Sequence, residues 1–126
     1  MNKHELAFEK IQKMKGVIPI RFLDTADTQE LSSRRPSDYL LVGTDGISFA
    51  EVKGCDNETR FDFRRVRDAQ WIYADLITKK KQKYYFWVFN IREDKWYVIA
   101  AQYFLNLKRE GVKSVKFADL IEFRRP

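Results

Sequence analysis

The chain is poor in the side chains that usually hold soft metals or build covalent frameworks. Among 126 residues there is one cysteine, Cys55, and one histidine, His4. A lone cysteine excludes an internal disulfide framework and matches the usage expected in a reducing cytoplasm. The pair also falls short of the usual zinc ligand set, so any metal bound here must be held by oxygen. No apolar run approaches the ~18 residues needed to span a bilayer, and the opening "MNKHELAFEK" lacks an apolar signal-peptide core. No membrane association is expected. Repeats and low-complexity linkers are absent too, which leaves one domain over 1–126. What the chain does have is a 44% hydrophobic and 15% aromatic composition, suited to a packed core rather than disorder. It also carries a net charge of +6 and a pI near 9.5, a balance that suggests a polyanionic partner.

Periodicity and turn signals give a series of short elements. Residues 3–15 read as a helix, with Ala7, Ile11 and Met14 on one face and Gly16 as a stop. "VIPIRFL" (17–23) reads as a strand, placed at an edge by Pro19. The polar stretch 24–37 is long for a loop in a small domain, and such loops tend to be functional. "DYLLVG" and "ISFAEVK" form a hairpin through Thr44-Asp45-Gly46. A second helix is expected over 64–80, with Val66, Ala69, Tyr73, Leu76 and Ile77 on its core face. "YYFWVFN" (84–90) is apolar throughout, as a strand buried on both sides should be. "KWYVIAA" (95–101) follows it, then a helix over 102–110 ending at Gly111, while the tail fits either a strand or a short helix. The order α-β-β-β-α-β-β predicts an α/β fold with a mixed central β-sheet flanked by helices. The strands "ISFAEVK" and "YYFWVFN" should be parallel, joined by a right-handed crossover.

Charges inside these strands need a reason. "RRPSDYLLVGTDGISFAEVKG" (34–54) puts Asp38 at the head of one strand and Glu51 and Lys53 near the end of the next. Burying a charge is costly unless it is paired or binds a metal. Alternation places Glu51 and Lys53 on one face with Phe49, and Ser48, Ala50 and Val52 on the other. Counting back from the turn puts Asp38 near the level of Lys53, so the three charges converge. Two carboxylates beside a lysine make a hard-oxygen pocket suited to Mg²⁺ or Mn²⁺. Such an ion can clamp a scissile phosphate and lower the pKa of a bound water. The lysine can orient that water or neutralise charge developing on the phosphate. The bare spacing Asp-x(12)-Glu-x-Lys often arises by chance, and a solvated charged face is the plain alternative. An acid at one strand's head, Glu-x-Lys at the next strand's end, a tight hairpin between and a helix after favour a site.

With these residues in view, the chain resembles the PD-(D/E)xK nuclease superfamily. "SDYLLVGTDGISFAEVKG", "TRFDFRRVRDAQ" and "GVKSVKFADL" are similar in order and spacing to RecU-type Holliday-junction resolvases, over roughly residues 36–122. "HELAFEKIQKMKGVIPIR" is similar instead to the archaeal resolvases of that superfamily. The superfamily's Pro-Asp pair is interrupted here as Pro36-Ser37-Asp38, and the loop 24–37 is shorter than the RecU stalk. The resemblance implies a restriction-endonuclease-like core, with Asp38 and Glu51 as metal ligands and Lys53 as the catalytic lysine. It also implies an acid from the first helix. Glu5, eleven residues before Gly16, matches the archaeal pattern better than Glu9, although the helical wheel does not separate them. Gln70 takes either the family role, a hydrogen bond near the lysine or attacking water, or a plain structural one with backbone partners.

Phosphate contacts are expected from Arg60, Arg64, Arg65, Arg67, Lys79, Lys80, Lys81 and Lys83, part of which a solvated surface would also explain. Ser32, Ser33, Arg34 and Arg35 in the long loop are placed to grip a backbone next to the metal. Trp71 falls roughly opposite the core stripe of the second helix, free for a dimer contact, a stacked base or cover by the tail. His4 and Cys55 are read as structural. The function expected is a Mg²⁺-dependent, structure-selective DNA endonuclease of the Holliday-junction resolvase kind, with Mn²⁺ as substitute and a C2 homodimer matched to the junction. The alternatives are a restriction-like, repair or phage nuclease on duplex or flap DNA, and a nucleic-acid-binding module that does not cleave.

Overall fold

The first helix, α1 (Lys3–Met14), starts where Asn2 caps it, the Asn2 side chain accepting the Glu5 N–H at 2.9 Å. It stops in a Schellman turn: Gly16, at φ +77°, lets Val17 N–H reach the Gln12 carbonyl at 2.9 Å. The structure, a computed structural model, describes residues 2–23, 35–57 and 59–125. After α1 come β1 (Ile18–Arg21), β2 (Tyr39–Gly43) and β3 (Gly46–Cys55), then a short β4 (Arg60–Asp62). A 3-10 turn (Phe63–Arg65) leads into α2 (Asp68–Lys79), followed by β5 (Lys83–Asn90), β6 (Lys95–Ala100) and α3 (Ala101–Arg109). The tail holds β7 (Ser114–Lys116), a 3-10 turn and β8 (Glu122–Phe123), so it is strand and short helix in turn. No helix of the described residues is long and apolar enough to cross a membrane.

Six strands form one mixed sheet in the order β1-β2-β3-β5-β6-β8. β1, with its proline, is the edge, and β3 pairs parallel to β5, as the crossover through α2 requires. The hairpin turns on two residues, Thr44 and Asp45, between the paired Gly43 and Gly46. Each face of the sheet has its own core. Phe8 and Ile11 of α1 cover Tyr39, Leu41, Ala50, Val52, Trp87 and Trp96 on one face. On the other, Trp71 and Ala74 of α2 and Phe104 of α3 pack with Phe61, Phe63, Phe86, Val88 and Ile99. β4 and β7 pair apart from the main sheet; β7 lies in the tail read as strand or short helix, and β4 in a stretch to which the sequence reading gave no element.

The second helix departs from expectation in both start and phase. Val66 is extended (φ −97°, ψ 121°) and precedes the helix, so a stripe counted from it points the wrong way. Trp71 is 5% exposed and packs against Phe63, Phe86 and Phe104, whereas Leu76, expected in the core, is 52% exposed. Trp71 is therefore a core residue, covered by α3 and not held out for a base or a partner.

Candidate active site

β3 carries Glu51 and Lys53 on the α2 side of the sheet, because the alternation that buries Ala50 and Val52 under α1 turns their neighbours the other way. Glu51 is 1% exposed and Asp38 6%. Asp38 stands one step beyond the Tyr39–Ala50 pair, which sets it level with Glu51 and not with Lys53. β2 has ended there, and the Asp38 side chain completes the ladder: its Oδ2 accepts the Val52 N–H at 2.8 Å. Its Oδ1 meets the Arg35 guanidinium at 3.0 Å. The carboxyls of Asp38 and Glu51 lie within hydrogen-bonding reach of each other. Burial, and then that contact and the Asp38 charge, hold the Glu51 carboxyl well above its ordinary pKa, with Lys53 and Arg35 pulling the other way.

Gln70 ties the cluster to α2. Its Nε2 donates to Glu51 Oε1 at 2.9 Å, and its Oε1 accepts from Lys53 Nζ at 2.8 Å. The same Oε1 takes the Arg67 N–H at 2.9 Å, so one amide caps the helix and orients two charged side chains. Lys53 Nζ is 4.0 Å from Glu51 Oε1, a looser contact than its bond to Gln70. Burial lowers the Lys53 pKa; Glu51 and Asp38 oppose this, and Arg67 and Arg35 add to it.

Tyr84, given no role from sequence, also lines this corner, and His4, read as structural, backs it from the α1 side of β3. The Tyr84 hydroxyl donates to the Pro36 carbonyl at 2.8 Å, and burial followed by the Glu51 and Asp38 charges raises its pKa. The His4 ring lies against β3: a Cβ on Gly54 would come within 2.8 Å of it. A glycine directly after Glu-x-Lys, inside a strand, is the signal for such a close approach. Nothing in the sequence marks Tyr84, which reads as one more apolar strand residue.

The acids of α1 have partners of their own. Glu5 lies 3.6 Å from Arg21, and Glu9 accepts the Tyr39 hydroxyl at 2.7 Å. Among the described residues, no group of three or more His, Cys, Asp or Glu side chains is arranged to hold a metal ion. The oxygen donors that do converge are Asp38 and Glu51. Mg²⁺ is ordinarily bound by one or two carboxylates, with waters and substrate phosphates completing its shell, so this donor set fits it.

The basic residues divide by position. Arg35 and Arg67 are near enough to act on Lys53. Arg60 is bound to Ser114 at 2.8 Å, Arg64 to Asp62 at 2.9 Å and Arg65 to Asp56 at 2.9 Å. Lys79 pairs with Asp75 at 2.8 Å, at the opposite end of α2 from Gln70, and Lys80 and Lys81 follow it there. A twelve-residue helix is about 18 Å long, so these lysines lie well away from Lys53. Ser32, Ser33 and Arg34 fall outside the described residues.

No family model matches the chain, and no curated protein matches it in sequence. Among solved structures, the chain is similar to Hjc, a Holliday junction resolvase from the archaeal hyperthermophile Archaeoglobus fulgidus. The match has a TM-score of 0.59, with 14% identity, and covers 78% of this chain and 74% of that one. At that identity the likeness is one of fold alone, a mixed sheet flanked by helices.

Proposed function

We propose that the protein is a metal-dependent endonuclease that hydrolyses phosphodiester bonds in branched DNA, in the manner of a Holliday-junction resolvase. One observation carries the reading: Glu51 and Asp38, both almost wholly buried, face each other with a lysine held beside them by Gln70. A fold with nothing to bind would not keep two carboxylates together out of water, because each raises the cost of ionising the other. The similarity of fold to a resolvase supports the choice of DNA as substrate.

Asp38 and Glu51 would hold Mg²⁺, with Mn²⁺ as substitute; when bound, the ion supplies charge for the phosphate and acidity for a water. Glu5 remains the first-helix acid proposed to join them, which requires that it leave Arg21. Lys53, with its pKa lowered and its Nζ held by Gln70, would orient the attacking water or neutralise charge growing on the phosphate. Gln70 is a positioning residue, setting Lys53 and Glu51 relative to each other. Arg35 and Arg67 flank the cluster and would steady the phosphates on either side.

A four-way junction has two-fold symmetry and needs paired cuts, so the protein should act as a C2 homodimer. Ile18 and Ile47, 60% and 51% exposed, stand in register with Val42 on the same sheet face as the site, an apolar surface suited to a second copy. The test is a panel of labelled four-way junction, linear duplex and flap DNA in Mg²⁺. Paired cuts confined to the junction uphold the proposal. Cutting of duplex or flap instead leaves the chemistry but removes the resolvase specificity, and no cutting of any substrate overturns both.

A further inference from the structure

The sheet face turned away from Asp38 and Glu51 carries a cavity that the cleavage reading does not use. It has a volume of about 600 Å³ between the end of α1, the hairpin turn and strands β5, β6 and β8. Gln12, Lys15, Lys83, Tyr85, Trp87 and Phe123 are among its lining. Gln12 is 0% exposed, and both ends of its amide lack a hydrogen-bond partner among the described residues. The Trp87 indole N–H lacks one too. Buried polar groups are nearly always satisfied, and a donor and an acceptor left unmatched on one amide suit a ligand edge that presents the complementary pair.

The other walls narrow the chemistry. Aromatic rings favour a flat conjugated ring, and two lysines against one carboxylate, Asp45, favour an anion. The Lys15 ammonium already lies 5.3 Å from the Trp87 ring centre and 5.1 Å from that of Phe123. Lys15 is exposed, so its flexible stem can move from the rings to a phosphate. A ring with hydrogen-bonding edges, joined to a phosphate, is a nucleotide, and the volume lies within the range of small-molecule sites.

We infer that this cavity binds a nucleotide: its base packs against the edge-to-face pair of Trp87 and Phe123 and meets the Gln12 amide, and its phosphate is held by Lys15 or Lys83. The chemistry is shared by a free mononucleotide and by an unpaired residue within a DNA strand. The site is separate from the Asp38–Glu51 corner and does not depend on cleavage.

The test uses the ¹⁵N-labelled full chain, whose three tryptophans give separate indole N–H signals. Deoxynucleoside monophosphates, a short single-stranded oligothymidylate and inorganic phosphate are titrated in turn. Trp87 should shift saturably while Trp71, in the opposite core, does not. Saturation by monophosphates identifies a free-nucleotide site, and saturation by the oligonucleotide alone identifies a site for an unpaired residue in a strand; both uphold the inference. Gln12→Leu should weaken binding by at least about tenfold, the loss expected when the base edge has no partner. Lys15→Ala, a change at an exposed position that the fold tolerates, should weaken it as well. The inference is overturned if Trp87 responds to none of the nucleotide probes, if phosphate alone binds as tightly, or if both variants bind like the wild type.

Discussion

Glu51 is 1% exposed and shares its surroundings with a second carboxylate, so the folded chain resists its ionisation. Its pKa lies above the ordinary 4.5 in the fold, chiefly through burial. A raised acid contributes stability that is fully present below the unfolded value and is lost as pH rises through the folded one. With divalent ions chelated, wild type should therefore lose stability relative to Glu51→Gln as pH climbs above about 4.5. Parallel thermal melts of the two proteins across pH check this, and a difference that stays flat with pH would refute it. Gln70 answers at the same scale. Gln70→Leu removes the partners of Lys53, Glu51 and the Arg67 N–H together. It should cost about 1–3 kcal/mol in urea denaturation, the range for stranding buried polar groups. Gln82→Ala, at an exposed position on the same stretch of chain, should stay within about 0.5 kcal/mol.

At the level of elements, α2 is the one whose packing the sequence concealed. Trp71→Ala should cost about 3–5 kcal/mol, because the ring fills the core between Phe63, Phe86 and Phe104. Leu76→Ala should cost below about 1 kcal/mol, its side chain being half in water. Denaturation midpoints of the two variants measure the helix phase directly, and a reversed order would restore the phase read from the stripe. The hairpin and the parallel β3–β5 pair were legible because Asp45-Gly46, strand alternation and an apolar run are local signals. The phase of α2 was not, because Val66 shares its periodicity without belonging to the helix. The β4–β7 pair was invisible for a different reason: it joins Arg60 to Lys116 across most of the C-terminal half, and neither strand exceeds three residues. Within the site, alternation alone put Glu51 and Lys53 on one face. The three partners of Gln70, the Glu5–Arg21 contact and the approach of His4 to Gly54 depend on how helices sit on the sheet, which no spacing encodes.

For the whole molecule, a net charge of +6 predicts DNA binding that weakens with salt as counterions are released. The slope of log affinity against log salt should be about −0.9 for each phosphate contacted on a duplex arm. A response that is flat between about 50 and 200 mM would remove the basic surface as the DNA footprint. Discrimination must come from shape, since phosphate contacts carry little base information. In Ca²⁺, which permits binding without cutting, a labelled junction should therefore outcompete linear duplex by more than about tenfold. The central claim is that Asp38 and Glu51 form a divalent-metal centre that cuts DNA. Single-turnover cleavage of a labelled four-way junction, by wild type and Glu51→Gln, with Mg²⁺ present or chelated, tests it most directly. Wild type should cut only with Mg²⁺, and Glu51→Gln should bind the junction at least as tightly without cutting it. Cutting by Glu51→Gln at the wild-type rate, or by wild type with the metal chelated, would contradict the claim.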